Sequence, residues 1–190
     1  IADLVKPGVR YNYQPIVNEN IVNFDYKLEF QSQEHWEYRK SAPDFTFSFG
    51  SCSYTNEIEK DRPGKSYGGD YFIYSNILDK NPDFMLWLGD NVYFREPDAS
   101  RTGVYNRYTH DRALNELQPL LGSVHHYAIW DDHDYGPNNS DRSFIHKDIT
   151  YQAFQDFWAN PSFGIENKGG ITTQFRWSDI DFFLMDNRYF

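Results

Sequence analysis

At 190 residues the chain is long enough for one hydrophobic core and part of a second domain. Its 15 Tyr, 16 Phe and 5 Trp can bury much area per residue, which excludes a disordered chain despite the negative mean hydropathy. The formal charge of −10 excludes a general nucleic-acid backbone binder, which would repel the phosphates it must neutralise, and suits a carboxylate-rich site quenched by bound cations. A single cysteine, Cys52, excludes an intrachain disulfide framework, and no apolar run approaches the roughly 18 residues of a membrane-spanning helix. Ile1 stands where an initiator Met would, without a signal-like segment, so a processed or excerpted start is expected.

The first forty residues read as β-structure: Val9-Arg10-Tyr11-Asn12-Tyr13 alternates with period two after a Pro7-Gly8 turn signal. Phe45–Phe49 predicts a strand with a tight exit at Gly50-Ser51-Cys52-Ser53, then a polar, Gly-rich loop to about Gly69. A helix is predicted over Asp70–Lys80, broken by Asn81-Pro82-Asp83. Phe84–Leu88 is continuously apolar, as in a strand buried on both faces, and ends at Gly89-Asp90. After an irregular stretch, Leu114, Leu117, Leu120 and Leu121 recur at helical spacing. Tyr127–Trp130 predicts the next buried strand, running directly into Asp131-Asp132-His133-Asp134. Tyr151, Phe154, Phe157 and Trp158 mark a further helix. Gln174–Trp177 and Asp181–Met185 read as antiparallel strands joined by a Ser-Asp turn, the second leading into Asp186-Asn187-Arg188. The alternation predicts an α/β core with helices on the faces of a mixed sheet.

Four apolar strands thus end in residues able to bind a metal: Cys52, Asp90, Asp132 with His133, and Asp186. In open α/β sheets ligands sit outside the carboxyl ends of the strands, where a rigid frame projects polar groups. Side by side, the four exits would gather carboxylates, a thiol and an imidazole. Crowded carboxylates cannot all ionise without cations between them, and hydrolysis is the commonest work of such clusters. His125-His126 does not read as a ligand pair, because adjacent strand residues point to opposite faces. Arg95-Glu96 reads as a local ion pair, and Asp131 and Asp134 as orienting acceptors.

Several of these segments resemble a known family. Gly89-Asp90-Asn91-Val92-Tyr93 resembles the Gly-Asp-x-x-Tyr block of calcineurin-like and purple-acid-phosphatase-like metallophosphoesterases. Trp130-Asp131-Asp132-His133-Asp134, with Asn138-Asn139 after it, resembles the Trp-Asp-Asp-His-Glu segment of the alkaline phosphatase D (PhoD-like) branch, with Asp for its Glu. Phe49-Gly50-Ser51-Cys52 is similar to that branch's strand-exit cysteine, and Leu184-Met185-Asp186-Asn187-Arg188-Tyr189 to its Leu-Asp-Thr-Arg block. Leu4–Tyr13 resembles the end of the family's N-terminal β-sandwich, so the blocks span nearly the whole chain in order. The family's later Gly-Asp-x-His block is not among the 190 residues, which implies a fragment.

The resemblance implies part of a four-layer αββα sandwich, with residues 1–43 ending a β-sandwich and 44–190 opening the catalytic domain. It implies a dinuclear or larger metal centre, with Fe3+ and Ca2+ as the ions of the family, and hydrolysis of phosphate esters, mono- or diester, on a small molecule or polymer. Asp90 would bridge two ions, Tyr93 and Cys52 would bind one as phenolate and thiolate, and Asp132 would take a position held by Asn in related families. Asp186 would be a ligand or its support, His133 would donate to a phosphate or leaving-group oxygen, and Arg188 would clamp phosphate oxygens. An extracellular or periplasmic location is implied as well. Two other classes compete: a catalytically silent relative serving as a binding or surface protein, and a non-phosphate metallohydrolase. The tyrosine surplus would also fit a sugar-binding surface.

Overall fold

The computed structural model describes residues 4–61, 63–166 and 168–190; the expected start at Ile1 and one position of the Gly-rich loop lie outside them. Among the described residues nine strands run in chain order: β1 Arg10–Asn12, β2 Ile16–Val17, β3 Asn20–Ile21, β4 Glu29–Gln31, β5 Phe47–Gly50, β6 Phe84–Leu88, β7 His125–Ile129, β8 Thr173–Trp177 and β9 Ile180–Leu184. The helices are α1 Phe72–Asp79, α2 Arg101–Arg112, α3 Gln118–Ser123, the single turn α4 Asp132–Tyr135, and α5 Lys147–Phe157.

β6 organises the fold. It pairs in parallel with β5 on one side and β7 on the other, with Leu86 opposite both Phe49 and Tyr127. Its side chains alternate between faces, which is why all five positions are apolar. Met85 and Trp87 pack with Tyr74, Tyr108, Leu120, Phe154 and Trp158 from the helical layer. Phe84 and Leu86 pack with Phe175, Trp177 and Leu184 of the β8–β9 hairpin. Phe84 is fully buried, stacked on Phe47 at 5.1 Å between ring centroids and 4.9 Å from Trp177. The described residues therefore form three layers: helices, parallel sheet and antiparallel hairpin. The hairpin turns at Ser178, whose φ of 52° suits the tight connection between Trp177 and Ile180.

Two predicted features are corrected. Residues 101–112, read as irregular, form α2, capped by Ser100, whose side chain accepts from the Gly103 N–H at 3.1 Å. Its buried face is Val104, Arg107, Tyr108 and Asp111, a helical spacing carried half by charged groups and therefore silent as an apolar stripe. Arg95 does not pair with Glu96: its guanidinium reaches Glu57 at 3.2 Å and Asp98 at 3.2 Å. Arg107 meets the same Glu57 at 2.9 Å, so two arginines anchor the loop after β5 to α2 and to the segment before it.

In the first forty residues, the described strands form two short antiparallel ladders, β1 with β4 and β2 with β3. This segment docks on the corner between α3 and β7. The Tyr13 hydroxyl donates to the Gly122 carbonyl at 2.9 Å, the Ser123 hydroxyl donates to the Lys27 carbonyl at 2.7 Å, and His125 Nε2 lies 2.8 Å from the Gln31 carbonyl. His125 and His126 do face apart: His125 packs on Trp177, while His126 bonds Trp87 and the Leu120 carbonyl. No helix among the described residues is long and apolar enough to cross a membrane.

Candidate metal centre

The carboxyl ends of β5, β6 and β7 meet at one rim, and the backbone builds it before any side chain acts. Beyond β5, the Cys52 N–H donates to the Gly89 carbonyl at 3.1 Å and the Ser53 N–H to the Asp90 carbonyl at 2.8 Å. Cys52 and Asp90 both adopt left-handed backbone, φ 61° and 52°, which turns the chain sharply at the two strand exits. Between them in the rim, Gly89 has φ 95°, and a Cβ there would lie 2.6 Å from Asp131 Cβ and 2.8 Å from the Asp131 nitrogen. Only glycine allows the exits of β6 and β7 to approach this closely.

A buried acid locks the two exits together. Asp134, fully buried, accepts the Asn91 N–H at 2.9 Å and the Asp131 N–H at 3.0 Å. Burial pushes its carboxyl up to about 8, against the pull of those N–H donors. The Asn91 side chain adds a second tie, donating to the Ile129 carbonyl at 2.8 Å. The orienting role expected of Asp134 is thus its observed role. Nothing in the sequence singled out Asn91.

On this frame the Asp90 Oδ2 atom is a hub. Tyr93 Oη lies 3.4 Å from it, His133 Nδ1 3.5 Å and Cys52 Sγ 3.8 Å. His133 Nδ1 is also 3.2 Å from Asp132 Oδ1, and ligand atoms of Asp90, Asp132 and His133 all lie within 4.8 Å of one another. The Tyr93 ring packs 4.5 Å from the imidazole. Tyr93 is placed because α4 and the loop after β6 interlock, the Phe94 N–H donating to the His133 carbonyl at 3.1 Å.

Burial and neighbouring charges shift the acid groups of the cluster. Burial raises the Asp90 carboxyl above its ordinary range, with Asp132 adding to the rise against the pull of His133. Burial likewise holds the Tyr93 phenol far above its usual range, and Asp90 and Cys52 push it further. Asp132 differs: burial pushes it up, but the Asn139 N–H, His133 and Arg188 hold it below the usual range. Two anionic ligand forms, the Asp90 carboxylate and the Tyr93 phenolate, are thus disfavoured in the protein alone and would be restored by a positive ion. Carboxylate, phenolate and imidazole are donors for hard or borderline cations, and the thiolate of the exposed Cys52 adds affinity for iron or zinc. The residues fit a metal.

Asp186 and Arg188 stand differently. Asp186 Oδ1 accepts from Trp130 Nε1 at 3.0 Å and from the backbone N–H groups of Arg188 at 2.8 Å and Tyr189 at 2.9 Å. Its Oδ2 accepts the Ile171 N–H at 2.8 Å. Four donors occupy the carboxylate, which ties the exit of β9 to Trp130 and lies outside the ligand group. Arg188 Nε donates to Asp131 Oδ1 at 2.6 Å, and its Nη2, paired with the same carboxylate, comes within 4.0 Å of Asp132 Oδ1. The arginine reaches the edge of the cluster, held there by Asp131.

The parallel sheet thus brings acidic, phenolic and imidazole groups from its strand exits to one rim. Among solved structures, one of PhoD is similar to this chain, with a TM-score of 0.73 at 16% identity, covering 98% of this chain and 38% of that one. The fold is PhoD-like, and the chain spans about two fifths of the length of that structure. No family model and no curated protein matches the sequence.

Proposed function

We propose that this chain carries the metal-binding rim of a phosphoester hydrolase, on residues 44–190 of a larger αββα sandwich preceded by a β-domain that ends near residue 43. The convergence of Tyr93, His133 and Cys52 on one carboxylate oxygen of Asp90 carries the reading. Asp90 Oδ2 faces Cys52, Tyr93 and the His133 ring, while Oδ1 accepts the His133 backbone N–H at 3.3 Å. Cys52 and Tyr93 would hold one ion, Asp132 a second, and Asp90 would stand between the two. When bound, two such ions supply charge for the phosphoryl oxygens and lower the pKa of a water toward neutrality.

The chain's own groups do the rest. His133, braced through Nδ1 by Asp132 and Asp90, keeps Nε2 for a phosphate or leaving-group oxygen. Arg188, positioned by Asp131, presents its remaining N–H groups at the cluster's edge for a phosphate oxygen. Asp186 supports this arrangement by fixing the turn that carries Arg188. Tyr93 and Cys52 together favour ferric iron at the first position, with a hard divalent ion such as calcium at the second. An extracytoplasmic setting agrees with a cysteine that would be metal-bound.

Elemental analysis beside assays on a phosphate monoester and diester tests the proposal. Bound metal, activity removed by chelation, and loss of both in Asp90→Asn are expected. With ferric iron, a phenolate-to-metal absorption band in the visible range should vanish in Tyr93→Phe. A protein that takes up no metal from iron- and calcium-containing buffer overturns the assignment.

A further inference from the structure

On its Cys52 side the ligand cluster opens into a groove of about 430 Å³ that the steps above leave unused. Its walls include Cys52, Tyr54, Tyr67, Asp70, Tyr71 and Phe72. Cys52 belongs to both the groove and the metal rim. The rings of Tyr67, Tyr54, Tyr93 and His133 follow one another at centroid separations of 5.3, 5.0 and 4.5 Å, a run of aromatic steps from solvent to the ligands.

The outer rings are presented to solvent: Tyr67 is 60% exposed and Phe72 65%. Large aromatic faces left open beside a polar cluster mark a ligand surface. The walls behind them are built. The Tyr54 hydroxyl donates to Asp61 at 2.5 Å, and the Tyr71 hydroxyl accepts the Asn56 N–H at 2.7 Å. Asn56 and Gly68 exchange two further hydrogen bonds, at 2.9 and 3.0 Å, and a Cβ on Gly68 would meet the Tyr54 carbonyl at 2.7 Å. Tyr71 holds φ 59°, a left-handed conformation uncommon for an aromatic residue.

We propose that this groove seats the organic half of the phosphate ester and selects esters bearing a flat, polar ring, of the nucleoside class. The inference rests on the phosphoester hydrolase reading above. Stacking on Tyr67 and Phe72 recognises any ring with a π-face, while the exposed Asp70 at the groove accepts hydrogen bonds from ring or sugar donors. The net charge of −10 disfavours a polyanionic strand, so the occupant is a small ester, not a nucleic acid.

Competition against diester hydrolysis by the metal-loaded protein tests this, with thymidine 5′-monophosphate and glycerol 3-phosphate as inhibitors. Thymidine monophosphate should bind at least about tenfold tighter, as expected from stacking one base on an aromatic platform. The ratio should fall to near one in Tyr67→Ala/Phe72→Ala and persist in Tyr67→Phe. Saturation-transfer NMR should place the base protons, not only the ribose, against the protein. Equal inhibition by the two compounds, with hydrolysis intact, overturns the groove assignment, as does a preference that survives the double substitution. Absence of hydrolysis with metal bound overturns the hydrolase reading, and the groove assignment with it.

Discussion

At the scale of single residues, position in the sheet decides which histidine reaches the acidic rim. His133 leaves the end of β7 and reaches carboxylates at the rim, whereas His126 lies inside the strand with both ring nitrogens occupied. Its Nδ1 accepts the Trp87 indole N–H at 2.9 Å, and its Nε2–H donates to the Leu120 carbonyl at 3.0 Å. Burial holds the His126 imidazole down at about 4, so the folded protein keeps it neutral. The unfolded chain, with an ordinary imidazole near 6.5, takes up a proton that the native state refuses. This group therefore leaves stability unchanged above about pH 6.5 and lowers it as pH falls toward 4. His126→Gln, which can keep both hydrogen bonds, should recover roughly 2 kcal/mol of the stability lost between pH 7 and 5. Urea unfolding of both proteins at the two pH values measures it, and identical pH slopes would refute the assignment.

Among the elements, the rim depends on close approach of backbone, and Gly89 is its narrowest point. Gly89→Ala forces a side chain into left-handed backbone and against Asp131. A cost on the order of 2–3 kcal/mol and a weakened metal site are expected, because the substitution parts the exits that carry Asp90 and Asp132. Denaturant midpoint and bound-metal content read the two effects, and unchanged metal content would show that the approach is not needed for binding. β6, β7 and the hairpin were legible because apolar runs and alternation report burial directly, and the residues of the rim stood out because they follow such runs. α2 was not, because Arg107 and Asp111 occupy its buried face and their partners, such as Glu57, lie far away in the chain. Of the two partners of Arg95, Glu57 was missed for the same reason, whereas Asp98 lies only three residues on. Asp186 showed its place but not its job: four donors, three of them backbone N–H groups, surround it, and no spacing in the sequence foretells them.

For the whole molecule, the ladder between β5 and β6 does not stop where the strands do. The amides of Cys52 and Ser53 bond to Gly89 and Asp90, so the loops at the rim continue the sheet's hydrogen-bonded ladder. Their protons can reach solvent only when the sheet itself parts, a sub-global opening and not a loop fluctuation. In metal-free protein, the Cys52 and Ser53 amides should exchange with deuterium within about tenfold of the Leu86 amide at the sheet's centre. Rapid exchange at both would show a rim that forms only around its ions. Slow exchange would show a claw held open and ready, so that ion capture costs little ordering and release is governed by the ligand bonds alone.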